Sequence, residues 1–210
     1  MTPNANSISS IVLYSLMSLA IKSRTSLSEQ TLSDNDLISW YFKKNEKYKT
    51  LVFFHGNAGN LSNRIYKLNE FSKLNLNYLI FAYRGFNENK GKPTEEGLYK
   101  DAISVIEWLK SKNILEKDII LYGESLGAAI AVHTGQHKSF AGIILEAPFT
   151  SMVNMGQKYY PFFPVRLLLK DKYESINKIK AKYGIEDTKQ LIERLMEEQH
   201  VSADTRWTSL

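Results

Sequence analysis

Cysteine is absent from the 210 residues, which excludes disulfide bonds, thiolate nucleophiles and cysteine-ligated zinc. No apolar run reaches the ~20 residues that cross a bilayer as a helix. The longest is ISSIVLYSLMSLAI, from Ile8 to Ile21, and serines interrupt it. No Lys or Arg precedes it, so the charged front of a secretory signal is missing, although Ser18 and Ala20 would suit a peptidase site. Residues 8–21 therefore leave three readings open: an anchor or signal remnant, a helix lying on the domain or on a membrane surface, or neither. Lys22 and Arg24 would keep the main body cytoplasmic if the segment inserted, so the expected location is cytoplasmic or membrane-associated. A basic cluster interleaved with aromatics is also lacking. Lys+Arg 27 against Asp+Glu 22 gives +5, but the lysines are spread along the chain, which describes a solvated basic surface and no nucleic-acid partner. There is no internal repeat.

What is present is ordinary globular composition, 43% hydrophobic and 23% charged, in a length that suits one domain with a full core. From about residue 36 strands alternate with helices. Leu37–Phe42 (LISWYF), Thr50–Phe54 (TLVFF), Tyr78–Tyr83 (YLIFAY), Asp118–Tyr122 (DIILY) and Gly142–Leu145 (GIIL) read as strands. Ser62–Leu74 reads as a helix with Ser62 as N-cap. Thr94 caps a stronger one carrying Glu95 and Glu96 in its first turn, a Leu98, Ala102, Val105, Ile106, Leu109 stripe, and Lys110 and Lys112 at its end. Leu126–Val132 is a small-residue helix. Such alternation means parallel βαβ units in an α/β fold. Ala147–Lys170 is aromatic and proline-rich and reads as an irregular cap over the sheet. We divide the chain into an apolar segment and linker (1–35), an α/β domain (36–180) and a helical tail (181–210) with Leu191, Ile192, Leu195 and Met196 on one face.

The chemistry centres on Gly123-Glu124-Ser125-Leu126-Gly127, a G-x-S-x-G pattern between strand DIILY and helix LGAAIAV. A serine lifted above the sheet on a strained strand-to-helix turn needs small neighbours, because backbones approach closely there. The N–H of Leu126, at the helix start, would then face a developing oxyanion. His55-Gly56-Asn57-Ala58-Gly59-Asn60 closes the TLVFF strand with a small-residue loop, where the N–H of Asn57 is the second oxyanion donor expected. His55 itself is expected to bond the loop backbone and transfer no proton.

Leu37 to Lys180 resembles the α/β-hydrolase superfamily, and within it the small, often membrane-anchored serine hydrolases described as abhydrolase-domain-containing proteins. The motifs are WYFK, LVFFHGNAGN, AYRGFNENKGKPTEEGLYKDAISVIEWL, ILYGESLGAAIAV and IILEAPFTS. The resemblance implies a three-layer α/β-hydrolase sandwich with a mostly parallel sheet. It also implies Ser125 as nucleophile, Asn57 and Leu126 as oxyanion donors, Tyr83-Arg84-Gly85 as a structural loop beside the site, and no cofactor or metal. One departure is Asn87, where the family pattern has glycine.

A second departure is larger. The family's order is Ser, then Asp or Glu, then His, with the acid after a segment like Ile176-Asn177-Lys178-Ile179-Lys180. Here the chain continues AKYGIEDTKQLIERLMEEQH. The expected acid, last strands and histidine are missing, as in a truncated chain or one with a replaced C-terminus. Asp187 and His200 follow Ser125 in order, but Asp187 reads better as a helix cap and His200 lies in a polar tail. His133 and His137 have ligand-like spacing, yet Gly135 interrupts the helix between them and no third ligand is evident. Asp171 reads as a solvated charge. Two functions follow: a serine hydrolase acting on an ester, thioester or amide through a Ser125 acyl-enzyme, with Tyr159–Phe163 lining an acyl pocket or filling core, or a catalytically inactive hydrolase fold. Without the last strands GIIL would be an edge, and self-association through it is expected.

Overall fold

In a computed structural model of the chain, residues 26–32, 37–136 and 139–183 are described. Residues 8–21, His137, Asp187, Leu191 and His200 lie outside them, and with them the expectations placed on those residues. The described chain builds one six-stranded sheet in the order β1-β2-β4-β3-β5-β6. Its strands are β1 (Ser26–Leu32), β2 (Leu37–Lys43), β3 (Thr50–Phe54), β4 (Asn77–Phe81), β5 (Ile119–Glu124) and β6 (Gly142–Glu146). β4, β3, β5 and β6 run parallel, and β2 and β1 are antiparallel additions at one side. β6 is the outer strand at the other side among the described residues, and Ile144 on it is exposed.

Strand periodicity distributes the central strands between two cores. Val52, Phe54, Leu79, Phe81 and Leu121 face a cluster shared with helices α2 (Glu95–Ser111) and α3 (Leu126–Gly135). Leu51, Phe53, Tyr78 and Ile80 face the opposite cluster with Leu61, Leu68 and Phe71, from a 3₁₀ turn (Leu61–Arg64) and helix α1 (Ile65–Ser72). The result is a helix–sheet–helix sandwich. After β6 come α4 (Met152–Tyr159), α5 (Val165–Leu168) and α6 (Ser175–Tyr183). Among the described residues no helix is long and apolar enough to cross a membrane.

Three local expectations change. The first helical segment is capped by Asn60, not Ser62: the Asn60 side chain accepts from Asn63 N–H while Asn63 Oδ1 accepts from Asn60 N–H at 2.8 Å, a reciprocal capping box. β1 falls inside the stretch assigned to the linker, and it pairs along its whole length, from Ser26 opposite Lys43 to Leu32 opposite Leu37. Asp171 is no solvated charge, because its Oδ1 accepts the Glu95 N–H at the start of α2 at 2.8 Å.

Asp101 shows how α2 fixes the loop after β4. It is fully buried, and it accepts from Arg84 N–H at 2.8 Å, Arg84 Nε at 3.0 Å and Arg84 Nη2 at 2.6 Å. A bidentate guanidinium–carboxylate pair backed by a main-chain donor compensates the desolvation of the carboxylate. Asp101→Ala removes the carboxylate that all three of these Arg84 donors share. The variant is expected to lose about 3 kcal/mol of stability, read as a lower urea midpoint with an unchanged slope.

Candidate active site

β5 ends in the serine turn. Ser125 has φ 53° and ψ −112°, and its side chain is solvent-exposed. A non-glycine residue in that region is strained, by about 1–3 kcal/mol, and the surrounding main chain holds it. Ser125 N–H donates to Glu146 O at 2.9 Å, and Ser125 O accepts from Ala128 N–H at 2.9 Å. Both motif glycines are needed for close approach. A Cβ on Gly127 would stand 1.8 Å from the Phe54 carbonyl oxygen, and one on Gly123 would stand 2.4 Å from Gly127 O. Helix α3 thus begins in backbone contact with the end of β3.

Leu126 is the first residue of α3, so its N–H has no acceptor four residues back. Asn57 lies in the exposed loop that leaves β3 beside the turn: Phe54 is in register with Gly123, and the Gly56 α-carbon faces the Glu124 carbonyl. The loop is tethered, since Arg64 Nη2 donates to Ala58 O at 2.7 Å. Ser125, Leu126 and the Asn57 loop are therefore neighbours at the carboxyl edge of the sheet. Tyr83-Arg84-Gly85 packs beside them, with the Tyr83 hydroxyl donating to His55 O at 3.1 Å. Asn87 takes φ 50°, which asparagine tolerates better than most residues, and its Oδ1 accepts the Leu61 N–H at 3.1 Å. Asn87 thereby makes a side-chain bond that a glycine could not.

Among the described residues no imidazole hydrogen-bonds the Ser125 hydroxyl. His55 is buried, with Nδ1 2.8 Å from Gly56 O, and its ring leans on Tyr83 at 4.4 Å. Burial drives its pKa from 6.5 down to about 4, against the opposing Gly56 bond. His133 stacks flat on Tyr99, with ring centroids 3.6 Å apart. No group of three or more His, Asp or Glu side chains able to hold a metal ion exists among the described residues. Tyr159–Phe163 is exposed, not core. Tyr159, Tyr160 and Phe163 line an open groove of about 580 Å³ with Met152 and Leu168, and Ser125 does not line it.

The sequence reading missed a partly buried ionic cluster beside the serine turn. Lys67, on α1, is almost fully enclosed and donates to Glu124 Oε2 at 2.8 Å and to Glu146 Oε2, which also receives the Tyr122 hydroxyl. Arg64 Nη2 lies 3.8 Å from Glu124 Oε1. Burial alone would lower the Lys67 pKa, but the bonds to Glu124 and Glu146 outweigh it and hold the ammonium above its ordinary value. Burial likewise opposes, and the Lys67 and Tyr122 bonds produce, the lowered pKa of Glu146. Lys67 stays a cation and serves as no base. It ties α1 to the residue before Ser125 and to the end of β6. The available signal was faint: Lys67 precedes Leu68 and lies four residues before Phe71, on the inward side of a short helix.

Two stability predictions follow from this packing. Gly127→Ala is expected to cost about 3 kcal/mol or more, since the main chain must move. Gly142→Ala, which meets nothing within 4 Å, is expected to stay within about 0.5 kcal/mol of the parent. The second concerns His55. The unfolded ring protonates near 6.5 and the folded ring only near 4, so stability is complete above neutrality and falls as pH drops. From pH 7.5 to 5.5 the His55 contribution is about 1.4 kcal/mol. Urea unfolding of His55→Asn is expected to show that much less pH dependence than the parent.

Comparison with known proteins identifies the family and the fold. The family described as serine aminopeptidase, S33, matches residues 45–207, which extends past Ala181. An uncharacterized protein of Mycobacterium tuberculosis is 39% identical over 143 residues, 67% of this chain and 51% of the relative. Protein bem46 of Schizosaccharomyces pombe is 37% identical over 56% of this chain and 40% of its own. The lysophosphatidylserine lipase ABHD12 of Danio rerio is 30% identical over 59% and 34%. The chain thus spans about half the length of the first of these relatives and less of the others. Among solved structures, an alpha-beta hydrolase from Vibrio vulnificus superposes with TM-score 0.67 at 20% identity, covering 81% of this chain and 64% of that one. An esterase of the bacterial hormone-sensitive lipase family superposes with TM-score 0.53 at 13% identity, covering 78% and 57%. The architecture is the α/β-hydrolase fold.

Proposed function

This chain belongs to the serine aminopeptidase, S33, family, and from that premise we propose that it is a serine hydrolase acting on an acyl bond through Ser125. The observation that carries the reading is the exposed serine at φ 53° on the β5–α3 turn. Strain of that kind persists where a hydroxyl must be presented. Ser125 Oγ attacks the carbonyl carbon of an ester, thioester or amide. The carbonyl electrons move to oxygen, where the N–H groups of Asn57 and Leu126 hold the charge. Collapse expels the alcohol, thiol or amine with a proton and leaves an acyl-enzyme, which water then cleaves. The reaction uses no cofactor. The substrate is a small acyl compound, and the name of the Danio rerio relative makes lysophospholipid esters the first class to try.

A second reading rests on a specific observation: both described imidazoles are otherwise engaged, His55 with Gly56 and His133 with Tyr99. If residues 184–210 supply no base, the chain binds acyl compounds without turning them over. Loss of the base costs on the order of a million-fold in turnover, and the oxyanion groups with binding retain roughly a thousand-fold over water.

A fluorophosphonate probe separates the two. The hydrolase reading expects covalent labelling of the folded protein at pH 8, abolished by Ser125→Ala with no change in the far-ultraviolet dichroism. A folded parent that stays unlabelled assigns the chain to the second reading.

A further inference from the structure

The exposed apolar residues are not scattered. Of those described, most fall between Met155 and Leu168, where Phe162 is 96% and Leu167 85% accessible, with Tyr159, Tyr160, Phe163 and Leu168 also outside. The stretch is anchored at both ends. Met152 N–H donates to Lys172 O at 2.8 Å, joining its entry to its exit, and Asp171 accepts from Glu95 at 2.8 Å, so the apolar middle is held outward as a face over the groove described above. Contiguous apolar surface of this kind marks an interaction site. Its charges select the partner. Ala147 to Lys170 contains Lys158, Arg166 and Lys170, all exposed, and neither Asp nor Glu.

We propose that this face docks on an anionic lipid bilayer. Phe162 and Leu167 enter the boundary between headgroups and acyl chains, the tyrosines settle at headgroup depth, and Lys158, Arg166 and Lys170 meet the lipid phosphates and carboxylates. Other occupants match less well. Residues 8–21 are apolar but carry no charge, so they leave the cations unanswered. A second copy of the face would set like charges against one another. The chain enters this segment directly from the carboxyl end of β6, so the bilayer would lie at the edge of the sheet where Ser125 stands. Docking is independent of whether Ser125 turns a substrate over.

The test is flotation of the full-length protein with phosphatidylcholine vesicles, with and without phosphatidylserine. Each cation near an anionic surface contributes about fivefold in partitioning, so about a hundredfold preference for the phosphatidylserine vesicles is expected, reduced by salt. Phe162→Ser/Leu167→Ser should reduce partitioning at least tenfold, and Arg166→Glu/Lys170→Glu should erase the preference. These positions are exposed, and thermal melting checks that the variants remain folded. Equal partitioning to the two vesicle types overturns the proposal, as does no partitioning. Binding that survives Phe162→Ser/Leu167→Ser but is lost in Leu13→Ser/Leu16→Ser would move the membrane contact to residues 8–21. A dimer dissolved by Phe162→Ser/Leu167→Ser, without vesicle binding, would assign the face to a second copy.

Discussion

The close approach of three backbones at the end of β5 governs the carboxyl edge of this sheet. Phe54 O, the Gly127 α-carbon and the Gly123 α-carbon occupy a space in which no Cβ fits. That contact forces the chain to reverse within one residue, and Ser125 takes the left-handed conformation as a consequence. The strain is local but its support is not. β5 lies between β3 and β6, so the turn is clamped on both sides by parallel ladders, and Ser125 N–H is held by the last residue of β6. A hydroxyl on a surface loop would sample many positions. Here a single arrangement is over-determined by contacts that involve almost no side chain of the serine itself.

The partly buried ions beside the turn serve the same end by different physics. Enclosing Lys67 against Glu124 costs desolvation energy that only good geometry offsets, while Glu146 stays half exposed. One ammonium bridging two carboxylates, with a tyrosine hydroxyl on the second, supplies that geometry. Apolar side chains of equal volume would fill the space, but they would not tie α1 to Glu124 and Glu146 through directed bonds. The ions also link α1 to the two strand ends, and Arg64 extends the link to the Asn57 loop through Ala58. The loop and the serine are thus positioned by one network, although they come from different strands.

What could be read in the sequence follows the range of the forces involved. β3, β4, β5 and β6 are short β-rich apolar runs, and the Thr94 cap of α2 is a local bond to Gly97, so both were legible. The Ser125 turn was legible because its glycines are adjacent in sequence. β1 was not: SLSEQTL is polar, and it becomes a strand only by pairing with β2. Lys67 and Glu146 lie 79 residues apart and Glu95 and Asp171 lie 76 apart. Nothing within a window of one helix distinguishes such charges from solvated ones. Asp171 was misread for that reason, and of the two alternatives for Tyr159–Phe163 the core one fails because aromatic content alone does not separate core from contact surface.

Helix α2 joins these parts. Its first residue, Glu95, accepts the main-chain N–H groups of Lys172 and Tyr173 and the hydroxyl of Tyr99, while its own N–H goes to Asp171. Two turns on, Asp101 grips the Arg84 loop. Gly97 lies so close to the Arg84 side chain that a Cβ there would stand 2.7 Å from Cδ. One rigid helix therefore positions both the loop beside His55 and the exit of the cap. Both ends of the cap belong to the α/β body, at β6 and at α2, and its exposed apolar residues lie between them. These anchors connect that middle stretch to α2 and to the end of β6. The cap is thus held at its ends while its apolar middle presents a surface outward.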